Sequence, residues 1–283
     1  SEFINTITGF LYIVVSYQSY LLMSKEIVTI HVKLNLLFIT MIGIGTVLFH
    51  CTLQYTHQLI DELPIFYLAS NGALILFHRN TIIDNDNNNN KIHQSSKSLA
   101  ICLITILCSS LTYILLFTTR EYNIHNIARG TMSTVFSILF LYVFVTISKT
   151  LNEIEQQEKS SSKEHGIRLN QQMKSLFKQA FHEFIFAILC WVLDNSCCNF
   201  LQSSTMLPFY PQLHAFWHLF TCTGLYKLIL ILAYIEQPFD KRIKYELKYH
   251  LHVLPVLLLL EDGRDGQDGQ DGQGVKVKEK DRG

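Results

Sequence analysis

The sequence predicts an all-α protein, a bundle of seven transmembrane helices. Of its 283 residues, 49% are hydrophobic and only 16% are charged, against about 25% charged in soluble domains. The charges sit in short stretches. Between them lie apolar windows of the roughly 20 residues that a bilayer crossing needs. These windows are continuous apolar runs, not ten-residue alternations, and so select helices over a barrel. The formal net charge is zero, so no nucleic-acid partner is expected. The expected surroundings are the lipid bilayer.

Taken in order, the spans are expected at Phe3–Met23, Val32–Phe49, Leu59–Phe77, Leu99–Phe117, Ile127–Ile147, Phe181–Phe200 and Leu213–Tyr234. The chain begins at Ser1, which reads as the inside of a longer chain cut just before its first helix. No basic segment with a small-residue cleavage site marks a secretory signal. Connections after spans one, three, five and seven hold nearly all the Lys and Arg, from Lys25 and Arg79 to Lys244 and Lys248; those after two, four and six hold only Arg120 and Arg129. The positive-inside rule then sets the C-terminus in the cytosol and the N-terminus on the lumenal side.

The helical domain is expected over residues 1–260. Two polar insertions within it are expected as loops: the Asn-rich 84–98, and a charged cytosolic loop over 149–179 whose most polar part, 152–166, is expected to be disordered. Residues 261–283, a Gly/Asp/Gln-rich tail, are also expected to be disordered. The run "HLHVLPVLLLL" (250–260) is too short to span, leaving it to lie at the membrane surface or dock on the bundle. Seven cysteines without a CxxC pair read as small hydrophobes, with Cys51, Cys197 and Cys198 near helix ends and one of them open to a disulfide.

The stretch "LFHCTLQYTHQLIDELPIFYL" (48–68) crowds ionisable groups where two apolar runs meet. On the predicted topology His50 ends span two, Asp61 opens span three, and His214 and His218 open span seven, all at one end of the bundle. The spacing of His214 and His218, i and i+4, aims both imidazoles from one helical face. Alone this is weak, since an HxxxH arises by chance in about every second chain of this composition. Ionisable groups near membrane spans are costly, however, and usually mark function. Three imidazoles with an open fourth position suit catalytic zinc, and a nearby carboxylate suits a base.

Asp61, three residues before Pro64, also reads as the N-cap of span three. Thr46, one turn before His50, offers a hydroxyl either for a developing oxyanion or for bonding within its own helix. His57 and Glu62 read as interfacial polar residues. Asp194 and Asn195, near the same end of span six, are candidates to hydrogen-bond a ligating histidine. Glu2 lies at that end of span one.

These residues resemble the alkaline ceramidase family, one of a group of seven-helix membrane metallohydrolases that includes the adiponectin receptors. The resemblance is carried by "GIGTVLFHCTLQYTHQLIDELPIFY" (43–67), "QLHAFWHLF" (212–220), "EFINT" (2–6) and "WVLDN" (191–195). It implies a zinc-dependent intramembrane amidase that hydrolyses ceramide to sphingosine and a fatty acid, resident in the endoplasmic reticulum or Golgi. His50, His214 and His218 would hold the zinc, and Asp61 would stand beside the water it activates. Thr46 replaces a Ser of the family. Glu2 is what remains here of a calcium site whose other ligands would lie upstream unless this chain lacks that regulation, and Arg129-Gly130 replaces a Tyr-Gly near the pocket. Ceramide as the substrate follows from the resemblance alone. Two other readings stay open. One is a metal-containing seven-helix receptor without ceramidase activity. The other, ranked last, is a transporter, which would place its ionisable groups near mid-membrane and show internal repeats.

Overall fold

A computed structural model describes residues 2–85 (apart from 24 and 26), 122–196, 212–250 (apart from 243) and 254–259. Its elements are α1 (Glu2–Leu22), α2 (Ile30–Thr52), α3 (Tyr55–Asn85), α4 (Tyr122–Ser160), α5 (Glu164–Ser196), α6 (Leu213–Glu236), the single turn α7 (Phe239–Arg242), and a two-stranded hairpin of β1 (Tyr245–His250) and β2 (Leu254–Leu259). Among the described residues there are thus six long helices, and the five from α2 to α6 are long and apolar enough to cross a membrane. The chain is an integral membrane protein. The fourth expected span, 99–117, lies outside the described residues, as do Cys102, Cys108, Cys197, Cys198 and the tail.

The burial pattern is that of a protein in lipid. On α1 the buried positions are Asn5, Gly9, Tyr12, Ser16 and Ser19, while Phe3, Ile7, Phe10, Val14 and Tyr17 are exposed. Small and polar residues face the neighbouring helix and large apolar ones face outward, because lipid does not drive apolar side chains inward. Hydroxyls and amides then tie the helices together. Ser16 Oγ donates to the Leu36 carbonyl at 2.6 Å and Thr40 Oγ1 to Ser16 Oγ at 2.9 Å, joining α1 to α2. Asn71 Nδ2 donates to Asn35 Oδ1 at 2.7 Å, joining α2 to α3. Lys227 of α6 is ion-paired to Glu183 of α5. α6 is the central helix, packed against α1 to α5.

Two expectations are corrected. The charged segment 149–179 is helical, not a loop: α4 continues to Ser160 and α5 begins at Glu164. Its apolar residues recur at helical spacing. Ile147, Leu151 and Ile154 of α4 are buried, as are Leu169, Met173, Leu176 and Ala180 of α5. Most of the charges occupy the solvated faces, where Lys159 meets Glu155 at 2.7 Å and Lys174 also pairs with Glu155; Glu158 is buried and accepts from the Tyr234 hydroxyl at 3.3 Å. Such pairing at i,i+4 and across a helical hairpin supports helix.

The second correction concerns α3. It begins at Tyr55, with the Gln54 carbonyl accepting from the backbone N–H groups of His57 and Gln58. Asp61 is therefore not its N-cap, and Pro64 lies inside the helix. The described part of the 250–260 run, His250 and Leu254–Leu259, belongs to the antiparallel pair β1–β2, which docks on the bundle. Leu247, Val256 and Leu257 are buried, the Tyr226 hydroxyl donates to the Pro255 carbonyl, and His165 Nε2 sits 2.9 Å from the Tyr245 carbonyl. At this end of the bundle burial, with Arg242 nearby, lowers the Arg79 guanidinium to about 10, which leaves it charged at neutral pH.

The contact that positions the site is between α2 and α3. Leu53 adopts a left-handed conformation (φ 54°) and its N–H returns to the Phe49 carbonyl, ending α2 two residues before α3 starts. The helices then meet backbone to backbone: a Cβ on Gly45 would lie 2.6 Å from both the Cα and the N of Asp61. Gly45→Ala is expected to force the helices apart and to cost about 1–3 kcal/mol. Gly72→Ala, whose Cβ would come nearest to the end of the Leu232 side chain at 3.3 Å and meet the Val143 methyls at 3.9 Å, is expected to be tolerated. Thermal unfolding of the two variants in the same detergent checks this; equal melting temperatures would refute it.

Candidate metal centre

His50 lies in the last turn of α2, and His214 and His218 in the first two turns of α6. The α1–α2 and α1–α6 packing closes these helices onto each other. One nitrogen from each of the three rings falls within 4.8 Å of the others. The His50 and His218 Nε2 atoms are 3.1 Å apart, and ring centroids are separated by 5.1 Å for that pair, 5.2 Å for His50–His214 and 4.7 Å for His214–His218. His50 and His218 are buried and His214 is half-buried.

Glu2 orients the first of these rings. Its Oε2 lies 2.5 Å from His50 Nδ1 and also accepts from Asn5 Nδ2 at 3.2 Å. A carboxylate on Nδ1 holds the proton there and leaves the Nε2 lone pair facing the other histidines. The donor set fits a borderline metal such as zinc. Four-coordinate Zn–N bonds of about 2.0–2.1 Å set ligand nitrogens about 3.3 Å apart, close to the Nε2 separation here. Expected from the sequence as part of a calcium site, Glu2 is engaged in this structure by His50 and Asn5.

Thr46 and Asp61 form a pair beside this cluster. Thr46 is fully buried one turn before His50, and its Oγ1 donates to Asp61 Oδ1 at 2.6 Å. A hydroxyl carries one proton, and in this structure the Thr46 proton is directed to Asp61. The methyl that distinguishes Thr from Ser packs on α1: a Cβ on Gly9 would lie 3.0 Å from Thr46 Cγ2. α1, α2 and α3 thus meet at this one side chain.

The remaining sequence candidates divide. Asp194 is half-buried and within electrostatic reach of His214. Asn195 is not brought to the histidines; it is exposed, and its amide donates to the Trp191 carbonyl one turn back at 2.8 Å. His57 Nδ1 lies 2.5 Å from Thr52 Oγ1, joining the first turn of α3 to the end of α2, and Glu62 accepts from Gln58 Nε2 at 2.8 Å within α3. Arg129 lies in α4, in a stretch whose side chains are not described. Cys51, Cys190 and Cys222 are free thiols. Sequence reasoning missed the Glu2–His50 bond. The available signal was Glu2 and Asn5, three apart on one helical face at the histidine end of α1.

A family model described as ceramidase matches residues 1–258. The chain belongs to the ceramidase family.

Similar proteins include a putative alkaline ceramidase, dcd3A, of Dictyostelium discoideum, which is 27% identical over 199 residues, 69% of this chain and 61% of that protein. Alkaline ceramidase YPC1 of Saccharomyces cerevisiae is 24% identical over 209 residues, 69% of this chain and 59% of that one. Alkaline ceramidase 3 of Mus musculus is 23% identical over 205 residues, 70% and 64% respectively. The chain therefore spans about three-fifths of the length of these relatives.

In this ceramidase-family chain the two groups of the Thr46 side chain are expected to separate. Thr46→Val keeps the methyl packing on Gly9 but leaves Asp61 Oδ1 without its donor, at a cost of about 1–3 kcal/mol. Thr46→Ser keeps the donor and loses about 1 kcal/mol of packing. Unfolding midpoints of the three proteins check this, with Thr46→Ser expected closer to the parent.

Proposed function

We propose that this chain is a membrane amidase hydrolysing ceramide to a sphingoid base and a free fatty acid at a zinc ion held by His50, His214 and His218. The observation that carries the proposal is the convergence of three imidazole nitrogens within 4.8 Å, beside the Thr46–Asp61 pair, in a chain of the ceramidase family. Three neutral nitrogen donors leave a fourth position open, as catalytic zinc sites require.

Bound there, zinc supplies a Lewis acid that polarises a carbonyl and lowers the pKa of water. The residues of the chain do the rest. Glu2 fixes the His50 tautomer through Nδ1, so that Nε2 stays a donor to the metal. Thr46 holds Asp61 through Oδ1 and leaves Oδ2 to take a proton from the attacking water. As water oxygen bonds to the amide carbon and the C–N bond breaks, Asp61 returns that proton to the leaving nitrogen. The apolar outer faces of the helices suit a two-tailed substrate arriving through the bilayer. The distribution of Lys and Arg supports a lumenal or exterior position for this end of the bundle.

Purified full chain in detergent is expected to contain one zinc per molecule by elemental analysis. His214→Ala is expected to remove most of it, and a folded, metal-free parent protein would refute the site. Asp61→Asn is expected to keep the metal but to lose at least ~100-fold in ceramide hydrolysis, because Asn retains the acceptor for Thr46 and cannot take a proton. Near-normal turnover by Asp61→Asn would remove Asp61 from the chemistry. Retained metal with no amide hydrolysis by the parent protein would favour the receptor-like reading.

A further inference from the structure

The three candidate ligands are not held alike. His50 has a carboxylate on Nδ1. Among the described residues no hydrogen-bonding side chain other than His50 itself is found on the His218 ring. A ring with no polar anchor can turn about its side-chain torsions unless packing stops it, and a ligand that turns loses metal affinity. What packs on His218 is Tyr12 of α1. The Tyr12 ring meets it edge to face, with centroids 6.2 Å apart and planes at 83°.

Tyr12 is itself fixed at both ends. It is almost fully buried, and a Cβ on Gly43 of α2 would lie 3.0 Å from Tyr12 Cβ, so the base of the side chain is pressed between helices. Its hydroxyl is hydrogen-bonded to Thr221 Oγ1. Thr221 stands three residues after His218 on α6, with its hydroxyl 2.7 Å from the Trp217 carbonyl and 3.2 Å from that of His218. The phenol therefore spans from α1 to the turn of α6 that carries His218, and its ring stands nearly perpendicular to that ligand's ring on the way.

We infer that Tyr12 is a positioning residue for the metal ligand His218, acting through its ring edge and through its hydroxyl bond to Thr221. This rests on the proposal that His50, His214 and His218 bind metal. α1 then serves the site twice: Glu2 sets the tautomer of the ligand on α2, and Tyr12 sets the ring orientation of a ligand on α6. A helix that supplies no ligand controls two of the three.

The test measures zinc affinity of the purified full chain by competition with a chromophoric chelator, together with the visible spectrum of the Co2+-loaded protein. Tyr12→Phe keeps the ring and loses the bond to Thr221; Thr221→Val loses the same bond from the other side. Each is expected to weaken zinc binding by about 10-fold, the lower end for groups that orient a ligand. The double variant should be no weaker than the weaker single, because both remove one interaction. The Co2+ spectrum should shift in each, and Thr221→Ser, which retains the hydroxyl, should restore parent affinity and spectrum.

Tyr226→Phe is the structural control. It removes a buried tyrosine hydroxyl bond on the same helix, to Pro255, and is expected to lower the melting temperature without changing affinity or spectrum. Should Tyr12→Phe behave like Tyr226→Phe, losing stability alone, Tyr12 is a packing residue and the inference falls. Should Tyr12→Phe fail to fold, the contrast between Thr221→Val and Thr221→Ser decides in the same way. A parent protein that binds no zinc refutes the metal reading itself, an outcome distinct from equal affinity in parent and variant.

Discussion

The site depends on one backbone contact, that of Gly45 with Ile60 and Asp61. Helix axes are ordinarily 8–10 Å apart because side chains intervene. Here there is no side chain on α2 at the point of contact, and a Cβ would meet Asp61 backbone atoms at 2.6 Å. The approach falls where Pro64 deprives the Ile60 carbonyl of its usual helical donor, so α3 is locally free of its own ladder at the same turn. Once the two helices touch there, the next residue on α2, Thr46, has its hydroxyl 2.6 Å from Asp61. One turn further along α2 is His50. A single absent side chain thus sets the spacing between the proposed acid–base group and the helix that carries a proposed ligand.

Much of this could be read from the residue pattern. The i,i+4 spacing of His214 and His218 is a local property of a helix, and apolar runs mark helices in lipid regardless of tertiary detail. Convergence of His50 with that pair followed from counting crossings. What could not be read was anything set by interhelical distance. Asp61 followed by Pro64 has the look of a helix start, yet the helix begins six residues earlier because Gln54 accepts the first backbone bonds. Local sequence cannot distinguish an Asp that caps from one that a neighbouring glycine brings against another helix.

The charged segment misled for the opposite reason. Its composition resembles a disordered linker, and composition averages over faces. Resolved at helical spacing, Ile147, Leu151 and Ile154 make a continuous apolar stripe on α4, and Leu169, Met173 and Leu176 make one on α5. The amide of Asn170 donates to the Leu151 carbonyl at 2.9 Å, stitching the stripes together. Helical periodicity outweighs charge content wherever a second stripe lies near enough to cover the first. The α4–α5 hairpin therefore continues the bundle beyond its most apolar part and gives the β1–β2 hairpin a surface to dock on.

The threonine at position 46 suits the same packing. A serine needs only its hydroxyl satisfied and can turn between rotamers. A β-branched threonine is stiff at χ1, so its hydroxyl has a fixed direction only if the methyl has somewhere to go. Gly9 supplies that space: its missing side chain leaves α1 open where Thr46 Cγ2 lies. With the methyl seated on α1, the hydroxyl is committed to Asp61 on α3. The pairing of Gly9 with Thr46 thus converts a residue that adds bulk into one that removes freedom, and the carboxylate it holds keeps one oxygen for the proposed proton transfer.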